Sequence, residues 1–280
     1  MHSNPSRATA LRWMPWTGAD GRLSPLKLAV FLALLYPAGW MLLEWNKGIW
    51  MVPQADLTYW SGVWAIWVLL ASLAVTPARR ILRWGRLLQV RRMIGVAALL
   101  YTIAHLVIYF WLRFWNWAEI GTEVVTRLSL ILATLALIGL IALGATSFDA
   151  AVRAMGAGWR RLHWWTYPVT TLAVIHFLLS PGSFAGMPFL VLGCFAWLMG
   201  WRWLEARRRG TAPGALLALT AVAAAVTLAA EALMPWWLLD ADPAFTLSLN
   251  VSFLLGVTPV YKVAALGLAI TAAAWLRNRV

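Results

Sequence analysis

Residues 159–177, WRRLHWWTYPVTTLAVIHF, decide how this chain folds, because an apolar run follows two arginines and contains two histidines. From residue 161 to residue 179 the run is long enough to cross about 30 Å of hydrocarbon at about 1.5 Å per residue. Polar side chains are costly inside a bilayer and usually have a function there. The stretch therefore predicts a membrane-spanning helix with functional imidazoles.

Runs of this kind recur along the whole chain of 280 residues, 62% of which are hydrophobic. A transmembrane helix needs about 20 mainly apolar residues, and soluble domains do not reach this composition. The sequence therefore predicts an all-α integral membrane protein, a polytopic helical bundle of about eight transmembrane helices. The predicted spans are 26–45, 59–76, 92–114, 127–145, 161–179, 184–204, 214–239 and 252–277.

The net charge of +13 follows the positive-inside rule. When successive loops are assigned to alternate sides, all but four of the 23 lysines and arginines fall on the side of the two termini. We therefore expect both termini in the cytoplasm, and we assign the charge to topology in a lipid bilayer rather than to nucleic-acid binding. The four basic residues on the other side are Lys47, Arg113, Arg127 and Lys262.

No soluble domain is expected, because the loops are short and the chain has neither a P-loop nor a strand followed by G-x-G-x-x-G. The single cysteine, Cys194, excludes an internal disulfide and a C-x-x-C-H haem attachment site. A Gly- and Pro-containing stretch at 208–218 separates a six-helix core from two further helices. The predicted division is a cytoplasmic tail 1–25, a transmembrane core 26–205 and a two-helix membrane extension 206–280.

Two histidines in different spans are predicted at a similar depth. With the termini inside, His105 follows Arg92 by 13 residues and His176 follows Arg161 by 15 residues, roughly 20 Å and 22 Å at helical rise. Imidazoles that approach a porphyrin from opposite faces are the axial ligands of a bis-histidine haem. We predict that His105 and His176 bind haem iron near the outer face. The alternative is that each is a buried histidine hydrogen-bonded to a neighbour.

His163 lies at the cytoplasmic edge of the fifth span, where an inner haem would lie, but no histidine of the third span faces it. The matching position is Arg91, which lies 14 residues before His105 and within about 40° of the same helix face. Arg91 could bind a haem propionate, or a ligand other than histidine could complete the iron coordination. The alternative is an arginine that only sets topology. Pro168 can kink the fifth span between its histidines.

Glu231 and Lys262, in spans seven and eight, are the other charges expected within the membrane, at roughly 12 to 17 Å from the outer ends. One interpretation is an ion pair that joins the last two helices. The other is a proton- or quinone-binding role, and a proton-coupled transporter without haem is accordingly an alternative function. The lack of an internal repeat and of paired broken helices argues against a transporter.

Residues 73–109, LAVTPARRILRWGRLLQVRRMIGVAALLYTIAHLVIY, and residues 159–177 resemble the ferric-reductase-like transmembrane superfamily. More narrowly, they resemble the MsrQ family, the haem-binding membrane subunits of the bacterial protein-methionine-sulfoxide reductase system. The V-T-P-x-R turn, the R-R-x-x-G helix start and the L-H-x-x-x-Y…H-F helix carry the resemblance. It covers roughly residues 55–205.

The resemblance implies a b-type cytochrome of the bacterial inner membrane, an electron-transfer subunit rather than the catalytic subunit of an oxidoreductase. It would receive electrons from the quinone pool or a cytoplasmic flavin reductase. It would pass them to a periplasmic molybdopterin subunit that reduces methionine sulfoxide in oxidised proteins. The implied cofactors are one or two haem b groups and FMN, and the implied binding residues are His105, His163, His176 and Arg91.

Ferric reductases usually carry two histidines in each of two helices and a C-terminal flavin and nicotinamide domain. This chain has one histidine in the third span and no such domain. A ferric or other metal reductase therefore stays an alternative function, and the resemblance leaves the ligands of an inner haem open.

Overall fold

The computed structural model describes residues 14–18, 20–180, 186–254 and 256–279. These ranges are almost entirely helical, which confirms the predicted all-α membrane bundle. Most of the tail 1–25 and the predicted start of the sixth span at residue 184 lie outside them. The helices are α1 (Pro25–Lys47), α2 (Pro53–Ile81), α3 (Leu88–Leu112), α4 (Trp117–Thr126), α5 (Leu128–Ala145), α6 (Asp149–Met155), α7 (Ala157–Trp164), α8 (Thr166–Leu178), α9 (Met187–Ala206), α10 (Pro213–Leu239), α11 (Pro243–Val251) and α12 (Pro259–Arg279).

Seven helices within the described ranges are long and apolar enough to cross a membrane, namely α1, α2, α3, α5, α9, α10 and α12. The fifth predicted span is present as two shorter helices, α7 and α8. The predicted last span was drawn too long, because α12 begins at Pro259 and not at residue 252. Part of the loop before it forms the short helix α11, for which Asp242 is the N-cap.

The break between α7 and α8 at Trp165 has a local cause in Pro168. Proline has no N–H to donate to the carbonyl of Trp164, and its ring disfavours continuous helix through that turn. At the break itself, the N–H of Trp165 donates to the carbonyl of Leu162, three residues earlier, at 2.9 Å. Helix α8 begins at the next residue. Pro168 then lies in the first turn of α8, where a missing N–H costs little. The proline thus divides this span into two helices.

Helices α2, α3, α5 and α8 form a closed ring. Each packs against two neighbours, in the order α2, α3, α5, α8 and back to α2. The diagonal pairs, α2 with α5 and α3 with α8, have at most marginal contact. The ring therefore has an interior that separates α3 from α8, the two helices that carry His105 and His176.

Two glycines allow α5 to lie close to both of its neighbours in the ring. A Cβ atom on Gly139 would lie 2.3 Å from Cγ2 of Val169 on α8, and a Cβ atom on Gly144 would lie 2.3 Å from Cδ2 of Leu99 on α3. Small residues permit such close backbone approach between membrane helices. A larger residue at either position would require the side chain of Val169 or Leu99 to move.

The remaining long helices pack on the outside of the ring. Helix α1 lies against α2 and α3, and α9 lies against α2 and α8. The last two long helices, α10 and α12, pack on each other and on α9, and α12 also contacts α2. The C-terminal helices therefore buttress the α2–α9 side of the bundle.

Glu231 and Lys262 do not form the predicted ion pair. Glu231 is only 3% exposed, and its carboxylate lies near the backbone N–H of Val260 in the first turn of α12. Lys262 is exposed, and its charge reaches Glu231 only at longer range. The positive end of the α12 dipole takes the place of the ammonium group as the immediate partner. The ion-pair interpretation is therefore wrong, although the last two helices are joined at this carboxylate.

Candidate functional site

His105 lies on α3 with its ring against α2. Its Nδ1 is 3.0 Å from Oγ of Ser61, and the Ser61 hydroxyl donates its proton to the carbonyl of Thr58 at 3.0 Å. Because that hydroxyl has only one proton, it accepts from the imidazole, and we assign the ring proton to Nδ1. Nε2 then keeps a free lone pair. A hydrogen bond from Nδ1 that fixes the tautomer in this way is typical of histidines that bind a metal through Nε2.

Gly62 leaves the space that the His105 ring fills. A Cβ atom at Gly62 would lie 2.9 Å from Cε1 of His105 and 3.2 Å from Nδ1. Any larger residue at this position would displace the imidazole from its serine partner. The wall of α2 is therefore shaped around the ring by Ser61 and Gly62, which are adjacent in sequence.

His176 lies on α8, and its Nδ1 is 2.8 Å from the main-chain carbonyl oxygen of Ser129, in the first turn of α5. A carbonyl oxygen can only accept a hydrogen bond, so Nδ1 of His176 carries the ring proton. Nε2 again keeps the free lone pair. The two predicted axial ligands thus present the same ring nitrogen for coordination.

The structure places His105 and His176 near enough for their charges to interact. A charge on His176 acts on His105, although their helices are diagonal partners in the ring and scarcely touch. Two histidines with unprotonated Nε2 atoms, on diagonal helices of the ring, supply the donor set that bis-histidine haem coordination needs. Among the described residues no three His, Cys, Asp or Glu side chains converge. Two imidazole donors fit a porphyrin-bound iron, which takes its axial ligands from the protein.

His163 lies apart from this pair, and no second imidazole within the described residues approaches it. Its Nδ1 is 3.2 Å from the carbonyl oxygen of Trp159, and its ring stacks on the Trp159 indole with centroids 3.9 Å apart. Nε2 lies 3.5 Å from Oγ of Ser147. Arg91 is close enough for its charge to act on His163, which agrees with the predicted juxtaposition.

Arg91 differs from its neighbour Arg92 in its contacts with the described residues. Arg92 pairs with Asp149 at 2.6 Å. Arg91 is exposed, and in the described part of the chain its guanidinium has no ion pair or hydrogen bond. The guanidinium of Arg91 could therefore pair with an anionic group bound beside His163.

Arg202 of α9 connects two of the sequence motifs, whereas the charge pattern marks it only as one of the basic residues on the side of the termini. Pro77 cannot donate to the carbonyl of Leu73, four residues earlier, and Nη2 of Arg202 donates to that oxygen at 3.0 Å. The guanidinium carbon also lies 4.7 Å from the centre of the Tyr167 ring. Tyr167 follows His163 by one helical turn. The only sequence signal for this hydrogen bond was the presence of Arg202 within an apolar stretch.

A polar network lies at the end of α3 that follows His105. Glu123 of α4, 7% exposed, accepts hydrogen bonds from Oη of Tyr109 at 2.5 Å and from the guanidinium of Arg113, and it pairs with Arg127 at 2.7 Å. Burial opposes ionisation of this carboxyl. The Tyr109 hydrogen bond and the two arginine charges outweigh burial and hold the pKa of Glu123 below its usual value. No motif in the sequence marked this residue.

A family model described as "Ferric reductase like transmembrane component" matches residues 61–174. The match runs from the middle of α2 to α8 and therefore covers most of the four-helix ring. It includes Ser61, Gly62 and His105, and it ends two residues before His176.

Curated relatives match a larger part of the chain. The protein-methionine-sulfoxide reductase heme-binding subunit MsrQ of Cronobacter sakazakii is 35% identical over 187 residues, which are 65% of this chain and 93% of the relative. The subunit of the same name from Xanthomonas campestris pv. campestris is 36% identical over 193 residues, 65% of this chain and 88% of the relative. That from Rhodospirillum rubrum is 35% identical over 193 residues, 67% of this chain and 93% of the relative. No solved structure matches this chain.

Proposed function

Because this chain belongs to the MsrQ family of haem-binding subunits of protein-methionine-sulfoxide reductases, we propose that it is the membrane cytochrome of such a system. In this proposal the chain carries electrons through the bilayer to a partner subunit that reduces methionine sulfoxide. The observation that supports it most strongly is the His105–His176 pair, with both Nε2 atoms free and both Nδ1 atoms hydrogen-bonded.

Each residue around the pair has a defined task in this proposal. His105 and His176 would hold haem iron from opposite walls of the ring, and the bound haem would supply reversible one-electron transfer. Ser61 and the carbonyl of Ser129 orient the imidazoles and keep the ring protons on Nδ1. Gly62 leaves room for the His105 ring. The apolar helices exclude water from this interior.

The overall reaction determines the division of labour between the subunits. Reduction of one methionine sulfoxide consumes two electrons and two protons and yields methionine and water. A cytochrome delivers electrons singly, so the sulfoxide chemistry belongs to the partner, which we propose is a periplasmic molybdopterin subunit. The proposed donor is the quinone pool or a cytoplasmic flavin reductase. The excess of basic residues on one side supports cytoplasmic termini in the inner membrane.

We also propose, on weaker support, a second binding site beside Arg91 and His163 on the cytoplasmic side. The free guanidinium of Arg91 beside His163 suits an anionic group such as a haem propionate or the phosphate of FMN. Within the described ranges no imidazole opposes His163, and the second ligand of a haem at this position is left open in the proposal. The outer pair is therefore the primary haem site in this proposal.

A reconstituted electron-transfer assay tests the proposal. The purified full chain, in lipid nanodiscs, is reduced chemically and then mixed with a periplasmic molybdopterin methionine-sulfoxide reductase and free methionine sulfoxide. We expect a reduced b-type absorption spectrum that disappears only when both partner and substrate are present. A chain without a visible chromophore, or one reoxidised by ferric chelates but not by the partner with its substrate, would overturn it.

A further inference from the structure

We infer that Glu123 is a positioning residue for both His105 and His176. This inference rests on the proposed function, because it assumes that the two imidazoles bind haem iron. Glu123 touches neither histidine. It connects the end of the helix that carries His105 to the start of the helix that holds the hydrogen-bond acceptor of His176.

The connection to His105 runs through α3. Tyr109 follows His105 by four residues and therefore lies on the same helix face, one turn further along. Its hydroxyl donates to Oε2 of Glu123 at 2.5 Å. Arg113, one turn beyond Tyr109 and the C-cap of α3, donates to Oε1. The carboxylate therefore holds two successive turns of the His105 face.

The connection to His176 runs through the start of α5. Arg127 is the residue before α5, and its Nη2 lies 2.7 Å from Oε1 of Glu123. The backbone N–H of Arg127 also donates to the main-chain carbonyl of Glu123 at 2.9 Å. Two residues later, the carbonyl of Ser129 accepts the Nδ1 proton of His176. A shift of the α5 start would therefore move the group that orients the second imidazole.

Only an ionised carboxylate can satisfy this arrangement. It has two acceptor oxygens with about four lone-pair sites, whereas glutamine has one acceptor oxygen and an NH₂ group that would face an arginine. Glu123 itself is only 7% exposed, so few water molecules can reach its carboxylate. Loss of its charge would also leave Arg127 without its carboxylate partner and Arg113 with Glu119 alone, which makes the field at this end of α3 more positive. A positive field favours the reduced state of a nearby redox centre.

The test compares three variants of the full chain purified with its haem. Glu123→Gln removes the charge and one acceptor oxygen, and Glu123→Asp keeps the charge. The matched control, Glu119→Gln, removes the exposed carboxylate that pairs with Arg113 but contacts neither Tyr109 nor Arg127. The measurements are the midpoint potential and the EPR g-values of the oxidised low-spin iron, which depend on the relative orientation of the axial imidazole planes.

We expect Glu123→Gln to raise the midpoint potential and to change the g-values, Glu123→Asp to return both toward wild type, and Glu119→Gln to change neither. If Glu123→Gln matched the Glu119→Gln control in both measurements, the inference would be wrong. If Glu123→Gln did not fold, Tyr109→Phe is measured in its place. Unchanged g-values in that variant would overturn the inference as well. Failure of the proposed function is distinguishable, since wild-type chain would then contain no haem or would keep it without His105 and His176.

Discussion

Nδ1 of His176 lies 2.8 Å from the main-chain carbonyl oxygen of Ser129, so the first turn of α5 determines which ring nitrogen of an α8 histidine remains free. The acceptor is a backbone atom, and its position depends on where α5 begins rather than on the side chain at residue 129. His105 reaches the same state through the hydroxyl of Ser61 on α2. The two walls of the ring thus prepare their imidazoles for metal coordination by different routes.

Loss of either imidazole is expected to abolish haem binding at the outer site. His105→Ala and His176→Ala should each remove most of the reduced b-type absorption, because one axial ligand alone holds the iron weakly in an apolar interior. The measurement is haem content per purified chain by pyridine haemochrome assay. His163→Ala is the comparison, since that ring lies apart from the pair. Retention of full haem content in both His105→Ala and His176→Ala would refute the assignment.

Gly62→Ala is expected to weaken haem binding by at least about tenfold, the lower end of what loss of ligand orientation costs at metal sites. The added Cβ would lie 2.9 Å from Cε1 of His105 and force the ring out of its position. Gly39→Ala on α1 is the matched control, because a Cβ there meets no atom within 4 Å. Titration of the haem-depleted proteins with haemin measures the affinities. Equal affinities in the two variants would contradict the packing argument.

Arg202→Gln is expected to destabilise the bundle by about 1–3 kcal/mol, because it leaves the buried carbonyl of Leu73 without a donor. Pro77→Ala should reduce that cost, since alanine supplies the missing N–H to the same carbonyl. The double variant should therefore be less destabilised than the sum of the single variants. Thermal unfolding in detergent measures all three. Strict additivity would show that Arg202 does not serve the Pro77 turn.

Acid is expected to destabilise the α3–α4–α5 junction through Glu123. Its carboxyl pKa is lowered in the folded protein relative to the ordinary value of 4.5, so the ionised form stabilises the fold above that pH. The contribution is lost as pH falls from 4.5 through the lower folded-state value. Glu123→Gln should flatten this part of the profile, whereas Glu119→Gln should keep it. The measurement is the melting temperature at a series of pH values. If Glu123 were not responsible, the Glu123→Gln variant would show the same dependence of melting temperature on pH as the wild type.

The apolar runs by themselves determined that the chain is a helical membrane bundle, because span length and hydrophobicity are local properties. A similar depth for His105 and His176 is predicted by counting residues along two helices of known rise. Pro168 indicated a disturbance of the fifth span for a similarly local reason. It appears as the break at Trp165.

Tertiary structure alone decided what surrounds the imidazoles. Ser61 and Ser129 lie 44 and 47 positions from the histidines whose Nδ1 protons they accept, so no local pattern relates them. The same limit explains why the predicted ion pair between Glu231 and Lys262 is wrong. Opposite charge suggested Lys262 as the partner, but helix packing places Glu231 beside the first turn of α12. The length of an apolar run is a local property and can be read from the sequence. The partners of a hydrogen bond between helices depend on which helix faces meet.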